Sequence, residues 1–241
     1  DLQSTSYRIS INNGTFSCNN LADYGINTNP AIYTPQIEIH SLTITDPVED
    51  GVVVQAYVGD ISKLTVNGGK RGLVIMPVAG NIVTSLSIRS CYMLNQTVVG
   101  YDINVSCYCV LIGCAADNMP LAYSLNMRGG AMIGCGAENI EKIAKFTSFR
   151  GLSINGFYSQ RAGSTDSGNP TDYLLEFVTG TNATLSGFHL ESNAGRYYGK
   201  KVGITTNNYA YESLTVTDQS ILRSDIYFIP NSGSNRPIKL L

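Results

Sequence analysis

Carboxylates, tyrosines and basic side chains crowd two polar stretches in the second half of this chain. The first, FYSQRAGSTDSGNPTDY at 157–173, carries Tyr158, Gln160, Arg161, Asp166 and Asp172, with Glu176 just beyond it. The second, GFHLESNAGRYYGKK at 187–201, supplies His189, Glu191, Arg196, Tyr197 and Tyr198. Hydrolysis of a glycosidic bond needs two carboxyl groups about 5 to 9.5 Å apart, one of them protonated to release the leaving oxygen. Glu176 and Glu191 form the first candidate pair, with Asp172 and Asp166 as substitutes. A tyrosine ring packs on the apolar side of a pyranose while its hydroxyl hydrogen-bonds. Tyr197 and Tyr198 are the leading sugar contacts, and Tyr158, Arg161, His189 and Arg196 complete the set.

Other chemistries find less support. Six cysteines stand at 18, 91, 107, 109, 114 and 135 without a Cys-x-x-Cys pair, and the two histidines, His40 and His189, are far apart. That spacing does not make a zinc site, no cofactor motif is present, and the cysteines read as small buried hydrophobes. NGGKRG at 67–72 joins glycines to basic residues but has no Ser or Thr after Lys70, so it is a chain corner and not a phosphate loop. A formal net charge of −2 offers no cationic footprint for nucleic acid or for an anionic membrane. No apolar run approaches the roughly 20 residues that span a bilayer. The absence of an initiator Met suggests a fragment of a longer chain.

The elements that must position these residues announce themselves by repetition. Leu, a small hydroxyl residue, then Ile or Val begins at Leu42, Leu64, Leu86, Leu152 and Leu214, at intervals of 22, 22, 66 and 62 residues. VLIGC at 110–114, AMIGC at 131–135 and FHLES from Phe188 fill the missing places. Each triplet alternates apolar, polar, apolar, the mark of a half-buried strand. A second apolar stretch follows about ten residues later in most copies, as in VVVQAYV and YLLEFV. Two or three short strands per repeat leave no room for a helix, and a period near 22 is the signature of a solenoid. The expectation is an all-β, right-handed parallel β-helix of about eight or nine coils, roughly 40 Å long at the strand spacing. Stacking would align Thr43, Thr65, Ser87, Ser153, His189 and Thr215 in one outward column, and Cys114 with Cys135 in an inward one. The insertion at 157–173 lengthens its coil to 36 residues, and insertions are where solenoids concentrate function.

Over residues 37–229, the phrases IEIHSLTITDP, ISKLTVNGG, LSIRSC, LSINGF, FHLES and ESLTVTDQ resemble the pectate-lyase-like single-stranded β-helix, and within it the tailspike and tail-fibre proteins of bacteriophages. The resemblance implies a homotrimer on the virion tail that binds, and often hydrolyses or lyses, a bacterial surface polysaccharide such as capsule or O-antigen. Alternatives are a non-catalytic receptor-binding or structural fibre segment and a bacterial surface adhesin. Residues 1–230 would form the β-helix, and NSGSNRPIKLL at 231–241 a capping or subunit-contact segment. AENIEKIAKF at 137–146 has Glu/Lys pairs at helical spacing and predicts one or two helical turns on the flank.

Overall fold

The computed structural model describes residues 8–28, 34–77, 83–105, 107–191, 195–205, 214–216, 221 and 225–229. Every strand pairing in the main sheet is parallel, and the strands wind as a parallel β-solenoid of about seven turns. That is one or two turns fewer than the repeat implies. The C-terminal segment at 231–241 lies outside the described residues.

Each rung has three faces. On the first, the inward column is Ile11, Ile39, Ile61, Ile88, Leu111, Met132, Ile154 and Leu185. On the second it is Leu42, Leu64, Cys91, Cys114, Cys135, Phe157 and Phe188. On the third it is Val52, Leu73, Tyr101, Tyr123, Ala144, Leu175 and Val202. Apart from the partly buried Ile11, these side chains are buried and form one continuous core. Burial of such area, at about 25 cal/mol per Å² of apolar surface, is the main favourable contribution.

The corner between the first and second faces is a single residue. Asn13, Ser41, Lys63, Ser90, Gly113, Gly134, Gly156 and Gly187 occupy it on successive rungs, every one with φ between 52° and 67°. One left-handed residue redirects the strand without a loop, and glycine takes that conformation without a Cβ penalty. Unbroken strands such as Thr34–Thr45 and Ala56–Asn67 therefore run around the corner.

This corner corrects the outward column expected from the triplets. Thr43 and Thr65 stack on the second face, where Thr65 pairs with Tyr92; Ser87 lies on the first face and pairs with Asp60 and Val110. Ser153 belongs to the first face as well, whereas His189 sits on the second above Tyr158. Both faces alternate inward and outward about the same corner, so one triplet reads identically on either. The predicted helix at 137–146 is also replaced, by part of the strand Gly136–Asn155. A left-handed corner at Asn139, φ 49°, shifts the phase of burial and leaves Ile140, Ile143 and Ala144 buried at spacings that mimic a helix.

Two interior features bear on the site. Tyr101 and Tyr123 stack with ring centroids 4.8 Å apart, and their hydroxyls reach across the core to the second face. The Tyr101 hydroxyl is shared between the carbonyls of Cys91 at 2.8 Å and Ala115 at 3.0 Å, and that of Tyr123 between Cys114 and Gly136, both at 2.8 Å. The five cysteines at 18, 91, 109, 114 and 135 are free and buried, with Cys91, Cys114 and Cys135 on consecutive rungs.

At the start of the third face Arg71 forks onto Asp50, Nε to Oδ1 and Nη2 to Oδ2, each at 2.7 Å, and its Nη1 reaches Asp102 at 3.2 Å. The Asp50 side chain is only 4% exposed. Arg71→Ala strands that carboxylate without its partner and is expected to cost about 3 kcal/mol of stability. Urea unfolding followed by circular dichroism reads this as a lower midpoint. Arg71→Lys should recover only part, since an ammonium cannot reproduce the fork.

Candidate functional site

The outward column of the second face runs Thr43, Thr65, Tyr92, Ala115, Gly136, Tyr158 and His189. Between Tyr92 and Tyr158 two consecutive rungs carry almost no side chain, so the face is notched. The two tyrosines, 36% and 38% exposed, stand at its ends three rungs, or about 14 Å, apart. The hollow has a volume of about 280 Å³ and is floored by Ala115 and Gly136. Their carbonyls are those that Tyr101 and Tyr123 hold from inside, so the core braces the floor.

Two residues further along each strand, the next outward column lines one wall. Its register runs Asn67, Leu94, Asp117, Glu138 and Gln160. Asp117 and Glu138 thus occupy adjacent rungs about 4.8 Å apart at the backbone. Asp117 is fixed from both sides: its Oδ2 accepts from the Tyr92 hydroxyl at 3.2 Å and its Oδ1 from Asn139 Nδ2 at 3.0 Å. Burial, then the Asp117 charge, raises the Tyr92 phenol above its ordinary value and keeps it a donor. Glu138 is exposed, and among the described residues no hydrogen bond holds its carboxyl group.

Asn95, Asn118, Asn139 and Arg161 form the left-handed corner that follows, with φ between 49° and 61°. Asn118 Nδ2 donates to Asn95 Oδ1 at 2.7 Å, and Asn95 Nδ2 to Asn67 Oδ1 at 2.8 Å. This amide ladder orients the edge of the notch. At the upper end the Tyr158 ring stacks on the His189 imidazole, centroids 5.8 Å apart. Glu191 extends the acidic column beyond Gln160, its N–H bonded to the Ser159 carbonyl at 2.8 Å.

Of the residues singled out from sequence, Tyr158, His189 and Glu191 share the second face, and Arg161 stands exposed at its corner. Glu176 lies on the third face within the strand Thr171–Phe177, so it and Glu191 are not brought together. It is engaged by Lys142 Nζ at 2.6 Å and Lys145 Nζ at 3.8 Å. Asp172 and Asp166 line a larger hollow of about 560 Å³ beneath the insertion, together with both lysines. Arg196 donates to the Gly163 carbonyl at 3.2 Å, and Tyr197 forms an antiparallel bridge with Ser164, so these two fasten the insertion. The Tyr197 ring is 43% exposed, whereas Tyr198 packs partly against the core.

Tyr92, Asp117, Glu138 and Asn139 were missed by the triplet alignment. The cysteines held the signal: Asp117 and Glu138 each stand three residues after a member of the inward cysteine column, Cys114 and Cys135. Among the described residues no group of three or more His, Cys, Asp or Glu is placed to hold a metal ion. No protein-family model, curated protein or solved structure matches this chain.

Proposed function

We propose that this β-solenoid is a tailspike-like domain of a phage virion tail, and that its second face binds a bacterial surface polysaccharide and hydrolyses it. The observation that carries this is the notch between Tyr92 and Tyr158, with Asp117 and Glu138 side by side on its wall. Aromatic rings at both ends suit the apolar faces of sugars. Two carboxyl groups on adjacent rungs suit glycosidic cleavage, with the shorter separations belonging to enzymes that retain anomeric configuration. Asp117, oriented by two donors, is the nucleophile that takes C1 as the C1–O bond breaks; Glu138 gives its proton to the leaving oxygen. Glu138 then removes a proton from water as the water oxygen displaces Asp117, so one water is consumed and both carboxyl groups return to their starting state.

The test is to incubate the protein with a panel of capsule and lipopolysaccharide preparations and measure new reducing ends. The sample is first sedimented to fix the number of chains, three being expected. Tyr158→Ala should weaken binding of a cleaved polysaccharide about tenfold by removing one ring contact, with Tyr158→Phe close to the parent. Binding without reducing ends across the panel would favour a non-catalytic receptor-binding segment, and neither binding nor cleavage would defeat the reading.

A further inference from the structure

The notch also constrains which glycan fits, an inference that rests on the saccharide reading above. We infer that it takes a stretch of two or three sugars lying along the solenoid axis and free of acidic groups. The length follows from the tyrosines, which stand three rungs apart in one column, about 14 Å and roughly two or three linked pyranose rings. The direction follows from the same register: the rungs between the tyrosines are Ala115 and Gly136, so the open channel runs from rung to rung and not along a strand.

The charge class follows from the lining. Asp117 and Glu138 are the acidic residues of the lining; besides the two tyrosines and the inward thiols of Cys114 and Cys135 it holds no other ionisable side chain, and no lysine or arginine. The amide edge supplies Asn139 to Asp117, which fixes the carboxylate without neutralising it. A uronate, sialate or phosphate substituent seated on this floor would lie within several ångströms of the Asp117 carboxylate, with no lysine or arginine in the lining to offset it. Each such approach costs roughly 1 kcal/mol in a water-exposed site, about a fivefold loss of affinity per charge. A neutral sugar meets no such penalty, and a protonated amino sugar gains. The same lining disfavours a lyase, because β-elimination needs a uronate whose carboxylate is neutralised while the adjacent proton is removed.

The experiment is a microarray of bacterial glycans in three groups, neutral, amine-bearing and acidic, probed with the full chain at low and physiological salt. Hits confined to acid-free glycans, with amine-bearing ones weakened by salt, are expected. Acidic glycans bound as well as neutral ones would overturn the inference while leaving the saccharide reading intact. An array without hits would overturn both. Asp117→Asn supplies the second measurement: acidic analogues of a bound neutral glycan should gain about fivefold in affinity, and no gain would show that the Asp117 carboxylate does not set the charge preference.

Discussion

Glu138→Gln should lower the rate of glycan hydrolysis by about 10²- to 10⁴-fold, the usual contribution of a positioned proton donor, with KM changed far less. The substitution keeps the size and polarity of an exposed side chain, so the strand Gly136–Asn155 should be undisturbed. Asp117→Asn should be comparably damaging, because the amide can neither attack C1 nor accept from both Tyr92 and Asn139 in the same way. Proton NMR of the first-formed product should show the anomer of the substrate, as the adjacent-rung geometry requires. Glu176→Gln and Glu191→Gln serve as controls. Glu176 is tied to two lysines on another face, and Glu191 stands two rungs above Glu138, so neither change should approach the loss seen at Glu138. Full activity in Glu138→Gln would remove the proposed acid from the mechanism.

At the other extreme of effect, the fold should fail steeply in alkali. Burial pushes the Cys109 thiol up to about 12, with Cys114 adding to it, and burial holds the Tyr101 and Tyr123 phenols well above 10. Below pH 9 these groups are protonated in both the folded and the unfolded chain, and their contribution to stability is complete. Above pH 9 to 10 the unfolded chain releases protons that the folded chain still holds, so stability falls as pH rises and this contribution is gone once the folded values are passed. Each group contributes a slope of about 1.4 kcal/mol per pH unit, and three together about 4. Against a typical total of about 5 to 15 kcal/mol, unfolding is expected between pH 10 and 12. Tyrosinate absorbance from the two core rings should rise together with the loss of β circular dichroism. A smooth titration of every tyrosine near pH 10 with the dichroism unchanged would show that Tyr101 and Tyr123 are not sealed in the core.

Why did the chain reveal its winding and conceal its site? The period was legible because a parallel solenoid must offer an apolar residue at the same place on every rung; Ile39, Ile61 and Ile88 do so with little variation. Assignment to a face was not, because a one-residue corner places the same alternation on both sides of it. Leu64 and Leu86 are 22 residues apart yet lie on different faces, and the partner of Leu86 on the rung below is Gly59. The polar insertion drew attention because side chains collect there. The notch is defined by what Ala115 and Gly136 lack, and an absence of side chain carries no chemical signature until the register brings Tyr92 and Tyr158 to its two ends. Glu176 illustrates the converse: its partners Lys142 and Lys145 come from an earlier rung, a proximity that no spacing along the chain encodes.

The single-residue hinge joining the first two sides also governs where this molecule can change over generations. An added or deleted amino acid there would turn the side chains of the second-face strand that follows from inside to outside, so that seam is closed to variation in length. Between the second and third sides, the stretch after Ala162 already tolerates an excursion before the winding resumes at Thr171. Length changes would therefore accumulate along one edge of the solenoid, while the opposite seam is inherited unaltered.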